Sequence, residues 1–481
     1  MPLAVNPIKF GTDGWRGIIA ADFTFERLTL VAPLAAQVLA DVYGEATSRR
    51  TIIVGYDRRF MSETFAFETA LAVQAAGFDV LLSDSYAPTP AFSWAAYQRK
   101  ALGALVITAS HNPGPYSGLK VKGAFGGSVP PEITQQIEAL LAKESSPVKG
   151  KPGSLERFDP WSNYCEELRA KVDIGCIQDA IAQKKLSVFA DVMHGAAASG
   201  LEKLLAMPIE EINSSRDPLF GGSAPEPLPR YLSQMFRQMR TYRRRSGEGL
   251  AVGFVFDGDS DRIAAVDGQG NFLSSQILIP ILIEHMASRR RLTGEVVKTV
   301  SGSDLFPRVA SLYNLPVYET PIGYKYIADR MLLTKVLVGG EESGGIGYGN
   351  HIPERDGLLS ALYLLEAIAQ SGLDLSELYQ RLQEKTNFTS AYDRIDLPLA
   401  SMDVRSRLLE QLQKSPLTEI AGQSVTDCLT IDGYKFRLAN DSWLMIRFSG
   451  TEPVLRLYCE APTLKQVYQT LDWAKNWANS V

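Results

Sequence analysis

Residues 101–113 read Ala-Leu-Gly-Ala-Leu-Val-Ile-Thr-Ala-Ser-His-Asn-Pro, an apolar run of seven residues that stops abruptly in a polar loop. A run of this length bounded by loop residues reads as a buried strand, and ligand chemistry in α/β sheets gathers beyond the carboxyl ends of strands. Ser110 therefore stands where a nucleophile would be useful. Alone, the loop reads equally well as a turn whose hydroxyl and amide satisfy backbone groups and whose proline ends the strand. The decision rests on what the rest of the chain places beside it.

Working outward, the spacing predicts a helix over residues 25–43, a strand over 51–55, a helix over 62–76 and a strand over 78–82, before Pro88-Thr89-Pro90. The rhythm recurs. Residues 185–191 read as a strand, 195–206 as a helix and 209–212 as a short strand; later come a strand over 295–300, a helix over 304–313 and a strand over 316–319, with Thr320-Pro321 matching Thr89-Pro90. Strands alternating with helices imply βαβ units and sheets with substantial parallel pairing. The expected fold class is α/β: three tandem related α/β domains with mixed, largely parallel sheets, then a C-terminal α+β domain. Linker-like composition at 143–153, the glycines at 268–270 and a change of pattern after 384 give expected domains of 1–152, 153–268, 269–386 and 387–481.

Composition narrows the function. The 481 residues are 45% hydrophobic and 21% charged, a globular balance, and the net charge of −5 provides no global basic field for nucleic acid. Arg237, Arg240, Arg243, Arg244 and Arg245 form a local basic cluster, read as a solvated helix face. The four cysteines are scattered without a Cys-x-x-Cys pair, so neither a zinc site nor a disulfide framework is expected. No apolar stretch reaches membrane-spanning length, since the most apolar one is interrupted by Pro280. A soluble cytoplasmic protein is expected, with no nucleic-acid or membrane partner.

Three further loops sit just past predicted strands. Asp257-Gly258-Asp259-Ser260-Asp261-Arg262 follows the strand over 250–256; alternate side chains of an extended segment share a side, so three carboxylates can converge on one hard cation. An EF-hand fails, because Arg262 replaces the required glycine and Gly268 the bidentate glutamate. Oxygen-only ligands favour Mg²⁺ over zinc, while a solvated acidic turn is the bland alternative. Gly340-Glu341-Glu342-Ser343-Gly344, after the strand over 335–338, suits a polyol, with Glu341 and Ser343 able to bond hydroxyls. Arg447-Phe448-Ser449-Gly450-Thr451-Glu452-Pro453 offers an arginine fork, two hydroxyls and a glycine amide to a phosphate. Phe10-Gly11-Thr12-Asp13-Gly14-Trp15-Arg16-Gly17 reads as a plain surface hairpin.

Residues 108–113, 257–262, 340–344 and 447–453, in this order and at these separations, resemble the four signature loops of the α-D-phosphohexomutases, closest to the phosphoglucomutase and phosphomannomutase branch. Residues 220–227 and 353–357 are also similar to family segments. The resemblance implies four domains around a central cleft and isomerisation of a hexose 1-phosphate and its 6-phosphate through a bisphosphorylated sugar. Glucose is the expected hexose, since Glu342 resembles glucomutases more than phosphoglucosamine mutases, with glucose 1,6-bisphosphate as intermediate and activator. Mannose or dual specificity, a hexosamine specificity, bisphosphate synthesis and metal-dependent phosphomonoester hydrolysis are the alternatives. By the same likeness Ser110 is a phosphoserine and a metal ligand, and Asp257, Asp259 and Asp261 hold Mg²⁺. Arg16, Lys120 and Arg262 are the cations expected to balance this charge, with Lys120 as general acid/base, a role for which its pKa should be lowered. Glu341, Ser343 and Lys325 are implied to meet the sugar, and Arg447, Ser449, Gly450 and Thr451 the non-reacting phosphate. The only partner implied is a small phosphosugar, the enzyme being a monomer or dimer.

Overall fold

Residues Gly103–Ile107 form a strand buried along its whole length. It pairs in parallel with Thr51–Tyr56 on one side and antiparallel with Tyr116–Gly123 on the other. The computed structural model describes residues 7–45, 47, 50–143, 151–246, 249–449 and 453–480. The first sheet runs Phe10–Gly11, Gly14–Ile18, Tyr116–Gly123, Gly103–Ile107, Thr51–Tyr56, Asp79–Ser83 and Leu155–Phe158. Its last strand comes from beyond the expected boundary at 152; by pairing with Asp79–Ser83 it covers an edge that would otherwise leave backbone groups unpaired. The helix Phe25–Tyr43 packs on this sheet, its first turn capped by the Thr24 hydroxyl accepting from the Arg27 amide.

A second sheet runs Phe272–Leu273, Ile263–Asp267, Leu250–Phe256, Leu186–Asp191 and Glu210–Ile212, so it too reaches past its expected limit at 268 to cover an edge. The helix predicted over 195–206 is shorter, Gly200–Leu205. Upstream of it the chain bends through Met193, His194 and Ser199, all with positive φ, and the Ala196 amide donates to the Gly258 carbonyl at 2.9 Å. That turn bonds to the acidic loop instead of continuing the helix. The third sheet is Val317–Thr320, Glu295–Thr299, Val336–Gly340 and Ile346–Tyr348; the fourth, antiparallel throughout, is Ala391–Pro398, Val454–Ala461, Trp443–Phe448, Tyr434–Leu438, Gln423–Leu429 and Glu419–Ile420.

Packing separates these domains into two kinds. One apolar core runs through the first three, with Leu358, Leu362 and Leu365 of the helix Gly357–Ser371 in the same cluster as Phe92, Leu201, Phe254 and Val338. The fourth has its own core, including Leu408, Leu444, Leu457 and Leu471. Polar contacts link it to the third: the Lys435 ammonium donates to the Val300 carbonyl at 2.9 Å, and Glu460 accepts from the Asp304 amide at 2.8 Å. Among the described residues, no single helix is long and apolar enough to cross a membrane.

Candidate active site

Ser110 lies three residues past its strand, 1% exposed, and its hydroxyl donates to Asp257 Oδ2 at 3.0 Å. Asp257, Asp259 and Asp261 are fully buried, and a ligand oxygen of each lies within 4.8 Å of the others. The strand pairing explains why Lys120 joins them although it lies ten residues after Ser110. It sits on the neighbouring strand opposite Val106, and its ammonium reaches Asp259 and Asp261, each at 2.8 Å.

The third carboxylate on Lys120 belongs to Asp13, at 2.7 Å, in the turn read from sequence as a plain surface hairpin. That reading is corrected: Asp13 also binds Lys122 at 3.2 Å and Arg355 at 2.6 Å, and Arg355 in turn reaches Asp261 at 2.6 Å. The expected lowering of the Lys120 pKa is overturned too. Burial works against its charge, but Asp13, Asp259 and Asp261 outweigh burial and hold the ammonium above the ordinary lysine value. Burial and the other two carboxylates push Asp257 well above the usual carboxylate range. His111, 3.4 Å from the Ser110 hydroxyl, is kept neutral by burial and by Arg262 and Arg16.

The donor set suits a divalent cation. Three buried carboxylates and one hydroxyl supply only oxygen, and Asp259 Oδ1 and Asp261 Oδ1 are buried without a hydrogen-bond partner. A cleft of about 590 Å³ is lined from all four domains, by Asp13 and Arg355, which touch the cluster, and by Arg16, His111, Arg262, Lys325, Glu341, Ser343 and Arg447 among others. Arg16 donates to the Asn112 side chain at 2.8 Å, and Arg262 donates its amide to Asp257 at 3.2 Å. Glu341 is raised by burial, with Arg355 acting against the shift. Arg447 is held by Asp432 at 3.0 Å, whose other oxygen accepts from the Ile322 amide of the third domain. Ser449 directly follows the strand Trp443–Phe448; Gly450 and Thr451 lie outside the described residues.

Sequence reasoning missed Asp13, Arg355 and Arg394. Arg394 donates to both oxygens of Glu342, at 2.9 and 3.0 Å, across the cleft between the third and fourth domains. Arg355 stands in a segment noted for its likeness, without a role given to it. Lys298 is buried away from the cleft against Asp304 at 3.1 Å. The Gly258 position is sterically closed: a Cβ there would meet the Ser110 carbonyl oxygen at 2.4 Å. Gly258→Ala should cost about 1–3 kcal/mol in a denaturant titration, as overpacking does, and should lower turnover by shifting Ser110.

Four family models match in chain order. They are phosphoglucomutase/phosphomannomutase alpha/beta/alpha domains I, II and III, at residues 7–148, 162–270 and 274–386, and the C-terminal domain at 404–472. The chain belongs to the phosphoglucomutase/phosphomannomutase family. This phosphohexomutase is 30% identical to a phosphoglucosamine/phosphogalactosamine mutase of Sulfurisphaera tokodaii, over 94% of this chain and 95% of that one. It is 27% identical to a phosphoglucomutase/phosphomannomutase of Thermococcus kodakarensis, over 96% of both. Among solved structures, a Thermus thermophilus protein assigned as a phosphomannomutase superposes with a TM-score of 0.84 at 31% identity, over 99% of this phosphohexomutase and 100% of that chain.

Proposed function

We propose that this phosphohexomutase interconverts a hexose 1-phosphate and its 6-phosphate, with glucose as the preferred hexose, by carrying a phosphoryl group on Ser110. The observation that carries the reading is the Ser110 hydroxyl held at 3.0 Å from an all-oxygen cation site, beneath a cleft to which the fourth domain contributes Arg447. In the first transfer a sugar hydroxyl attacks the phosphorus on Ser110, the bond from phosphorus to Ser110 Oγ breaks as the new phosphoester forms, and the hydroxyl proton passes to the cluster around Lys120. In the second the Ser110 oxygen attacks the phosphorus at the sugar's other end, that sugar phosphoester breaks, and the proton returns to the departing sugar oxygen. Mg²⁺ held by Asp257, Asp259, Asp261 and the Ser110 oxygen would neutralise phosphoryl charge, as bound metals do in phosphoryl transfer. Lys120, Arg16 and Arg262 supply the remaining positive charge, which a phosphoserine among three carboxylates requires.

Glu341 and Ser343 face the sugar, with Lys325 across the cleft. Arg447 and Ser449, with Gly450 and Thr451, hold the phosphate that does not react. Between the two transfers glucose 1,6-bisphosphate turns end for end, and a fourth domain with a separate core can release and recapture either phosphate. The glucose preference rests on Glu342: its carboxylate is paired with Arg394, which already balances the charge that would otherwise favour a sugar amine. Relatives named as phosphoglucosamine mutases make glucosamine 1-phosphate the competing substrate.

Intact mass and phosphopeptide mapping, followed by assays with glucose, mannose and glucosamine 1-phosphates with and without bisphosphate, test the reading. One phosphate on Ser110 and highest turnover of glucose 1-phosphate are expected. An unmodified Ser110 that also fails to accept phosphate from the bisphosphate would refute it. Arg447→Ala should raise KM by about 10–100-fold, the worth of a charge-assisted bond to phosphate, and steady-state kinetics would read it.

A further inference from the structure

The backbone at Ser110 is unusual, with φ at +50°, a left-handed conformation that costs a non-glycine residue energy unless its surroundings enforce it. The enforcement is visible on both sides of the residue. Arg59, 0% exposed, donates to the carbonyl oxygens of Ser110 at 2.5 Å, Asn112 at 2.6 Å, and Pro113 and Tyr116 at 3.1 Å each. Its Nε lies 3.2 Å from Asp57, and its guanidinium stacks 4.8 Å from the Phe220 ring of the second domain.

Asp57 closes the ring. It accepts from the Thr108 hydroxyl at 2.7 Å, and Thr108 Oγ1 accepts the Ser110 amide at 2.9 Å. The Ser62 hydroxyl and the Arg59 amide hold its other oxygen at 2.9 and 3.0 Å. Ser110 is thus gripped at its N–H through Thr108 and at its C=O through Arg59, both anchored on one buried carboxylate. The terminal nitrogens of the guanidinium all bond to one loop and its Nε faces a buried aspartate at ion-pair distance, with Arg59 itself 0% exposed; its effect is on loop shape.

We infer that Arg59, with Asp57 and Thr108, is a positioning residue that sets Ser110 in its left-handed conformation and so aims the hydroxyl at Asp257. The inference rests on the reading that Ser110 carries the phosphoryl group. Arg59 touches neither sugar nor phosphate in this role. Its loss therefore lowers turnover without weakening substrate binding.

Two variants test it in the full-length enzyme. Arg59→Lys keeps the charge but cannot reach four carbonyls, and Thr108→Val keeps the volume but breaks the link to the Ser110 amide. With glucose 1-phosphate and bisphosphate, kcat should fall about 100-fold for Arg59→Lys and about 10-fold for Thr108→Val, with KM changed by less than about threefold, as expected when a reacting atom is displaced by an ångström or less. A kcat within about twofold of wild type in folded Thr108→Val overturns the inference, as does a loss seen only in KM. If Arg59→Lys does not fold, Thr108→Val decides alone.

Crystal structures of wild type and Thr108→Val give a readout independent of activity. Relaxation of Ser110 to negative φ in the variant supports the clamp, and retention of a positive φ overturns it. An inactive wild type whose Ser110 relaxes in the variant would sink the mutase reading and leave the clamp standing.

Discussion

Replacing Ser110 by alanine is expected to lower mutase turnover on the order of 10⁴-fold or more, the scale on which covalent catalysis is lost with its nucleophile. The fold should survive. The substitution removes one hydroxyl and its bond to Asp257, worth about 1 kcal/mol, while the clamp from Arg59 acts on the Ser110 carbonyl and remains. The Asp257 oxygen left without a partner faces the same cluster, so the change is confined to the site. Circular dichroism and a thermal melt alongside the kinetics separate loss of chemistry from loss of structure. Near-normal turnover by well-folded Ser110→Ala protein would remove the phosphoserine from the mechanism altogether.

Much of the arrangement was legible before the fold because its loops announce themselves. Residues 108–113, 257–262 and 340–344 each place polar side chains directly after a buried apolar run, and a strand end is where such groups become reachable. The groups that balance their charge carry no such mark. Asp13 and Arg355 are separated by 342 residues, and only the packing of the first domain on the third makes them partners. Arg59 was invisible for a different reason: it bonds to four backbone carbonyls, which every residue possesses and no sequence pattern displays. The direction of the Lys120 shift was misjudged because burial alone lowers a lysine, while the three carboxylates that reverse it come from two separate loops. Strand edges carry no sequence mark either: Leu155–Phe158 and Phe272–Leu273 lie past the expected limits at 152 and 268 and pair backward with the sheets they follow.

The acidic cluster leads to an expectation opposite in sign to the usual cost of altering a buried site. Asp257 is fully buried beside Asp259 and Asp261, and burial together with their charge disfavours its ionised form. Lys120 and Arg355 pair with Asp13 and Asp261, and Lys120 also with Asp259, but among the described residues Asp257 gains only the Ser110 hydroxyl and the Arg262 amide as close hydrogen-bond donors. Asp257→Asn retains the shape and one carbonyl oxygen while removing a charge that the metal-free protein has difficulty accommodating. Without divalent cation, the variant should therefore melt at or above the wild-type temperature.

Mg²⁺ should reverse the order. Wild type gains stability as RT ln(1 + [Mg²⁺]/Kd), about 2.7 kcal/mol at one hundred times Kd, whereas the variant, with one anionic ligand lost, should gain little over the same titration. Turnover should fall with the lost site by about 10²–10³-fold, as when a group stabilising transferred charge is removed. Differential scanning fluorimetry across a Mg²⁺ series, run beside the mutase assay, measures both effects. A variant that melts well below wild type in chelator, or that retains the full Mg²⁺ shift, would mean that Asp257 supports the fold instead of the cation. Mutual repulsion among three buried carboxylates would then have to be relieved by Lys120 and Arg355 alone, and the role given to the orphaned oxygens of Asp259 and Asp261 would fall with it.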